Sequence, residues 1–215
     1  MKNTVQPGHY EHTTYMYFNQ ANQAAAWHSD RQRWAEAYPV TAALAEGLFI
    51  EPTISAHVPT ATTDGKRVLF NTSWSETLNA TSREFIHAHL VWHAVAGDYR
   101  PVHCRELHRW HLACDHNVNM QLLQLGHDLS NDAVFFPAAA AWPVEKVYTW
   151  LAKHPRLDIE APLDRMCWEM APSPVSLQLE ALEAGWHRHV QAVIERYRGT
   201  PALPDPVAAW LLKRK

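Results

Sequence analysis

Eight of the chain's fifteen histidines fall between His87 and His127, about a fifth of its 215 residues, where an even spread would put about three. Histidine is the commonest metal ligand and the side chain that ordinarily titrates near neutrality. Any single one reads most simply as a half-exposed polar residue. The group together points to a metal or proton-transfer site.

Two of the eight sit where geometry matters. Thr81-Ser82-Arg83-Glu84 has the form of a capping box, opening a helix that runs to about Ala96 and is ended by Gly97. On that helix His89 and His93 are four apart, so they share a face about one turn apart. This is the spacing by which H-E-x-x-H offers two imidazoles to one zinc ion. After the loop Asp98–His103, a long helix is expected from Cys104 to Leu125, stopping at Gly126. It carries His108, His111, Asp115 and Asn119 as a polar stripe beside an apolar one of Leu107, Trp110, Cys114, Val118, Leu122 and Leu125. A solvated face is usually built of Lys, Glu and Arg, whereas His, His, Asp and Asn hydrogen-bond and coordinate. On spacing alone, a solvated face and a metal site both stay open.

Composition narrows the alternatives. Hydrophobic residues are 47% of the chain, enough for a core and against global disorder. Nineteen basic against 22 acidic residues give a net charge of −3, which offers no electrostatic footprint for nucleic acid or an anionic membrane. The longest run free of charge and strong polarity, Ala133–Val144, has 12 residues and two prolines, too short to span a bilayer. Met1–Pro7 has no apolar segment resembling a signal peptide. Cys104, Cys114 and Cys167 are odd in number with no C-x-x-C pair, so a reducing cytoplasm is expected.

Around the two helices the chain reads as follows. Residues 1–20 form an irregular lead-in, and Ala21–Tyr38 a helix bearing Trp27, Arg31 and Trp34. A second helix, Val40–Leu48, follows. Ile54–Val58 and Arg67–Phe70 are short β-rich runs about Asp64-Gly65, a turn signal, and suggest a hairpin or small sheet. Asn131–Pro143 is a connection, Val144–Lys153 a helix, Pro155–Pro174 mostly loop, and Ser176–Tyr197 a final long helix. A tail with Trp210 and a basic end completes the chain. Trp92 and Trp110 read as core rings, Cys114 as a small buried hydrophobe, and His187 and His189 as surface residues.

Several of these pieces together resemble a known family. They are Pro59–Gly65, Phe70-Asn71, Phe85–His93, Trp110-His111-Leu112-Ala113-Cys114-Asp115-His116-Asn117-Val118-Asn119, and Val144–Leu151. They are similar to the T-D-G turn, the H-E-x-x-H-x-x-x-x-H helix, the W-N-x-A-x-D-x-x-x-N helix and the E-K-x-Y-x-x-L helix of the putative metallopeptidase domain. That domain of bacterial and phage proteins often precedes a von Willebrand A-like domain. The resemblance runs from about residue 38 to the end and implies a zincin-like domain over 38–215, after a lead-in and helix over 1–37. It implies an α+β, mainly α fold with a small β-hairpin or sheet. It also implies Zn2+ held by His89 and His93, with Asp98 (where the family has a further histidine) and Asp115 as the next ligands.

The departures bear on activity. Leu90 stands where the family has the glutamate that takes a proton from metal-bound water. Losing such a base typically costs about 10²–10⁴ in rate. Glu84 and His87 lie about 140° and 160° round the helix from His89, so neither replaces it. His108 and His111 are the candidate substitutes from the facing helix. The resemblance thus implies a zinc-binding, metallopeptidase-like protein that is not a conventional peptidase, and either a hydrolase of altered chemistry or an inactive interaction module. A protein partner such as an AAA-type ATPase is implied by the resemblance alone. An all-helical regulator with incidental histidines is the remaining alternative.

Overall fold

The computed structural model describes residues 8–103, 106–154, 161–169 and 176–213. It is mainly helical with one three-stranded sheet. The first helix, α1 (Gly8–Ala37), starts well before the expected Ala21, so the lead-in is helical from Gly8 onward. No apolar stripe marks that first part. The helix is anchored instead by its second half, where Trp27 and Trp34 are fully buried. Trp27 stacks on Phe70 at 4.2 Å and donates to Ser75 Oγ, and Trp34 donates to Glu84. Pro39 then opens α2 (Pro39–Ala45), at a first helical position where the missing N–H costs nothing.

Strands β1 (Phe49–Thr53), β2 (Ala61–Thr63) and β3 (Arg67–Asn71) form a sheet in the order β1-β3-β2. β1 lies parallel to β3, and β2 pairs antiparallel with β3, Thr63 opposite Val68. The Asp64-Gly65 turn is as expected: Asp64 Oδ1 accepts from the Lys66 and Arg67 backbone, and Gly65 takes φ +80°. The strand opposite is not Ile54–Val58, however. There Thr53 Oγ1 accepts from Ser55 N–H and Ser55 Oγ from His57 N–H. These hydroxyls capture backbone donors that a ladder would need, so the segment turns.

A short helix, α3 (Thr72–Ser75), leads to α4 (Ala80–Ala96). Asn79, not Thr81, caps α4 by accepting from Ser82 N–H. Glu84 does not reach back to close a capping box, because its carboxylate is held by Trp34 and Arg33. Gly97 ends α4 in the left-handed region, as expected. Every residue from Phe85 to Ala96 is buried, the signature of a helix enclosed on all sides.

The facing helix α5 (Leu107–Gln124) is capped by Glu106, which accepts from His108 and Arg109 N–H. The expected start at Cys104 lies outside the described residues. α6 (Val144–Leu151) and α7 (Ser176–Tyr197) follow near their expected bounds. The tail forms α8 (Asp205–Leu212), which buries Val207 and Leu211. His189, expected at the surface, is half-buried and contacts the last carbonyls of α2, Ala43 and Leu44. Two apolar clusters result. The larger joins α1, α2, α4, α7 and α8, and the smaller joins α5 and α6 around Leu112, Cys114 and Met166. Among the described residues, no helix is long and apolar enough to cross a membrane.

Candidate metal centre

His89 and His93 project from α4 toward α5, as helix spacing requires, and their Nε2 atoms are 2.8 Å apart. From α5 comes Asp115, whose Oδ1 is 3.2 Å from His93 Nε2 and 3.7 Å from His89 Nε2. The fourth group, Asp164, comes from the connection between α6 and α7. Its carboxylate lies 3.8 Å from His89 Nε2 and 4.0 Å from His93 Nε2. That segment is fixed by a backbone bond from Arg165 N–H to Ala61 O on β2. All four side chains are buried, each 3% exposed or less, and one ligand atom from each falls within 4.8 Å of the others.

These separations bracket those a cation imposes. Four ligands at about 2.0–2.2 Å in a tetrahedron stand about 3.3–3.6 Å apart. Two contacts here are shorter, and three are longer, than that window. Three imidazole nitrogens surround Asp115 Oδ1 at 3.2–3.7 Å, yet among the described residues it is buried with no aligned hydrogen-bond donor. A buried carboxylate oxygen left in that state is destabilising unless something else satisfies it. A cation among the four groups does so.

The outer nitrogens are held as well. His89 Nδ1 lies 2.8 Å from Asn119 Oδ1, and Asn119 Nδ2 donates to Val134 O. That second bond fixes the amide orientation, so His89 Nδ1 is the donor and Nε2 presents its lone pair inward. Asp98 does the equivalent for His93, with Oδ2 2.8 Å from Nδ1. The expected ligand Asp98 therefore lies behind the ring, on the nitrogen facing away from the cluster. The reason is local: Gly97 turns the chain back on leaving α4, and the Asp98 N–H bonds to His93 O.

His111, on the turn of α5 before Asp115, contacts both carboxylates, with Nε2 2.9 Å from Asp164 Oδ1 and 3.3 Å from Asp115 Oδ1. His108 is half-buried in the first turn of α5 and is not among the converging groups. His87 points the opposite way, as its angle required, packed between Trp27 and Trp34 and accepting from Arg31 Nε.

Charge follows the same division. Burial alone would lower the His93 pKa, but the approach of Asp115, the bond to Asp98 and the charge of Asp164 push it up to about 10. Burial likewise opposes protonation of His111, and the charges of Asp115 and Asp164 overcome it, raising it well above the usual value. Burial would raise both aspartates. The His111 charge instead brings Asp115 down to about 2 and holds Asp164 well below the carboxylate range. Two protons thus balance two carboxylates, and one divalent cation supplies the same charge. The site can coordinate a metal ion.

Asp164 carried no sequence signal. It is a lone aspartate in a loop, far along the chain from the helices it joins. Asn119 was visible in the polar stripe, but nothing in the spacing says that it orients His89.

No curated protein and no solved structure matches the chain. The model of one family, described as "Putative metallopeptidase domain", matches residues 22–185. That span contains His89, His93, Asp115 and Asp164, and begins inside α1. It covers most of the sequence, and the chain therefore belongs to that family.

Proposed function

We propose that the chain is a zinc-binding, metallopeptidase-like protein that is not a conventional peptidase. The observation that carries this is the convergence of His89, His93, Asp115 and Asp164 on one point. Two imidazoles and two carboxylates suit zinc, which takes nitrogen and oxygen ligands in tetrahedral sites. Zinc would supply Lewis acidity and lower the pKa of a bound water. Asp98 and Asn119 then act as the orienting partners of the two histidines.

Position 90 argues against ordinary peptide hydrolysis. Where the family resemblance expects a glutamate base, Leu90 is fully buried in the larger apolar cluster and accepts no proton. His111 is the one candidate catalytic residue that touches the cluster, through both carboxylates, and is the group to test for proton transfer in a hydrolase of altered chemistry.

A second reading, an inactive interaction module with a structural metal, is favoured by closure of the site. Structural zinc sites use four protein ligands, whereas catalytic ones keep a position open. Here four protein groups converge in a buried cluster. An AAA-type ATPase remains a partner to test under this reading.

Elemental analysis of purified protein, combined with a casein-cleavage assay of the native chain and Leu90→Glu, tests the proposal. One zinc per chain with no cleavage by the native protein is expected. Zinc-dependent cleavage by the native chain would overturn the claim that peptidase activity is lost. Absence of metal would overturn the metal site itself. Metal-dependent hydrolysis of small esters by the native chain, abolished in His111→Ala, would select the altered hydrolase over the inactive module.

A further inference from the structure

Asp98 faces a second feature besides His93. It borders a cleft of about 440 Å³ between the end of α4, the inner face of α5, the corner before α6, and α8. That volume lies within the range of small-molecule sites. The α8 wall, with Trp210, falls outside the family-matched residues 22–185.

Three indoles line it: Trp110, Trp142 and Trp210. One buried amide ties two of them together, since Trp210 Nε1 donates to Asn117 Oδ1 and Asn117 Nδ2 donates to Trp142 O. Next along the same face of α5 come Gln121 and Gln124. Gln121 is 4% exposed, and its Nε2 donates to Asn117 O, which fixes its Oε1 as an acceptor. That oxygen and Gln124 Oε1 are both buried without a hydrogen-bond partner among the described residues. Native proteins rarely leave such acceptors unpaired. Two on one wall of one cleft mark where donors arrive from outside. Gln124 is half-buried, and its soft terminal torsion lets its oxygen turn to meet them.

The remaining lining narrows the donor's chemistry. Among the described lining residues, Asp98 and Glu145 are offset by Arg100 and Lys213, which leaves no net charge to select an ion. The walls contributed by α5, α6 and α8 are helical, and their interior backbone groups are already bonded, so no open strand edge receives an extended peptide. A neutral ligand rich in O–H or N–H donors, with apolar C–H faces to lie against indoles, meets all these conditions. We propose that the cleft binds a neutral oligosaccharide. This stands independently of the metal reading.

Isothermal titration of the full chain with chitotriose, cellotriose, maltotriose and, as a peptide control, trialanine tests it. At least one trisaccharide should bind, with a shift in tryptophan emission. Gln121→Met and Gln124→Met should each weaken that binding about tenfold, the order expected for one hydrogen bond. Gln124→Met should also melt no lower than the native chain without ligand, because it removes an unsatisfied acceptor. No trisaccharide binding up to about 10 mM, well beyond ordinary specific affinities, would overturn the proposal. So would equal affinity in both variants, or trialanine binding as tightly as the sugars.

Discussion

Two histidine environments lie on opposite sides of α4, only two residues apart. His87 and His89 are equally hidden from solvent, on the same helix, yet their neighbours differ completely. His87 sits between Trp27 and Trp34 with Arg31 bonded to its Nε2, and burial together with that cation drives its pKa well below the usual value. His89 faces another histidine and two carboxylates, with Asn119 behind it. Burial is common to both; the sign of the surrounding charge is not. A cation is repelled from the first setting and drawn to the second.

The largest expected effect comes from removing both imidazoles of the second setting. His89→Ala with His93→Ala should reduce zinc from one per chain to none by elemental analysis. Asp164→Asn should follow, weakening zinc by more than about 100-fold in a chelator-competition titration, since under the proposed assignment it removes a direct ligand. Asp98→Asn, acting only through His93 Nδ1, should weaken it by about 10–100-fold. If Asp98→Asn were the more damaging of the two, the assignment of direct and orienting roles would be reversed.

The opposite setting should respond in stability and not in metal. His87→Phe leaves the half-buried Arg31 Nε without its acceptor and should cost about 1–3 kcal/mol in chemical denaturation, with zinc content unchanged. Loss of zinc in that variant would break the separation between the two faces.

The smallest effect concerns His127, a buried histidine outside both settings, stacked on Tyr38 and bonded to Thr41 Oγ1. Burial lowers its pKa to about 4. The folded state holds it neutral while the unfolded chain takes up a proton below about 6.5. Its contribution is therefore present above 6.5 and lost as pH falls toward 4. His127→Leu should show a shallower loss of melting temperature over that interval. An unchanged acid slope would contradict the assignment.

How much of this was legible follows from the kind of signal each residue gives. The helix pair, Gly97, the Asp64-Gly65 turn and the shared face of His89 and His93 come from local periodicity and turn chemistry. Asp115 was legible as part of a stripe on α5. Asp98 was legible as a site residue, but only three-dimensional contact shows which nitrogen of His93 it meets. Asp164 was not legible, because nothing local announces a ligand on a loop, and its place depends on Arg165 docking against Ala61. The helical start at Gly8 was missed for the related reason that a polar helix lacks an apolar stripe. Ile54–Val58 forms no strand because its β-favouring residues are outweighed by serine and threonine hydroxyls bonding to the backbone.

X-ray absorption at the zinc edge of the purified native chain tests the central claim most directly. Four nitrogen and oxygen neighbours at about 2.0–2.2 Å, with the multiple-scattering pattern of two imidazoles and no sulfur, are predicted. A six-oxygen shell, a sulfur neighbour, or a spectrum unchanged by replacing both His89 and His93 would contradict it.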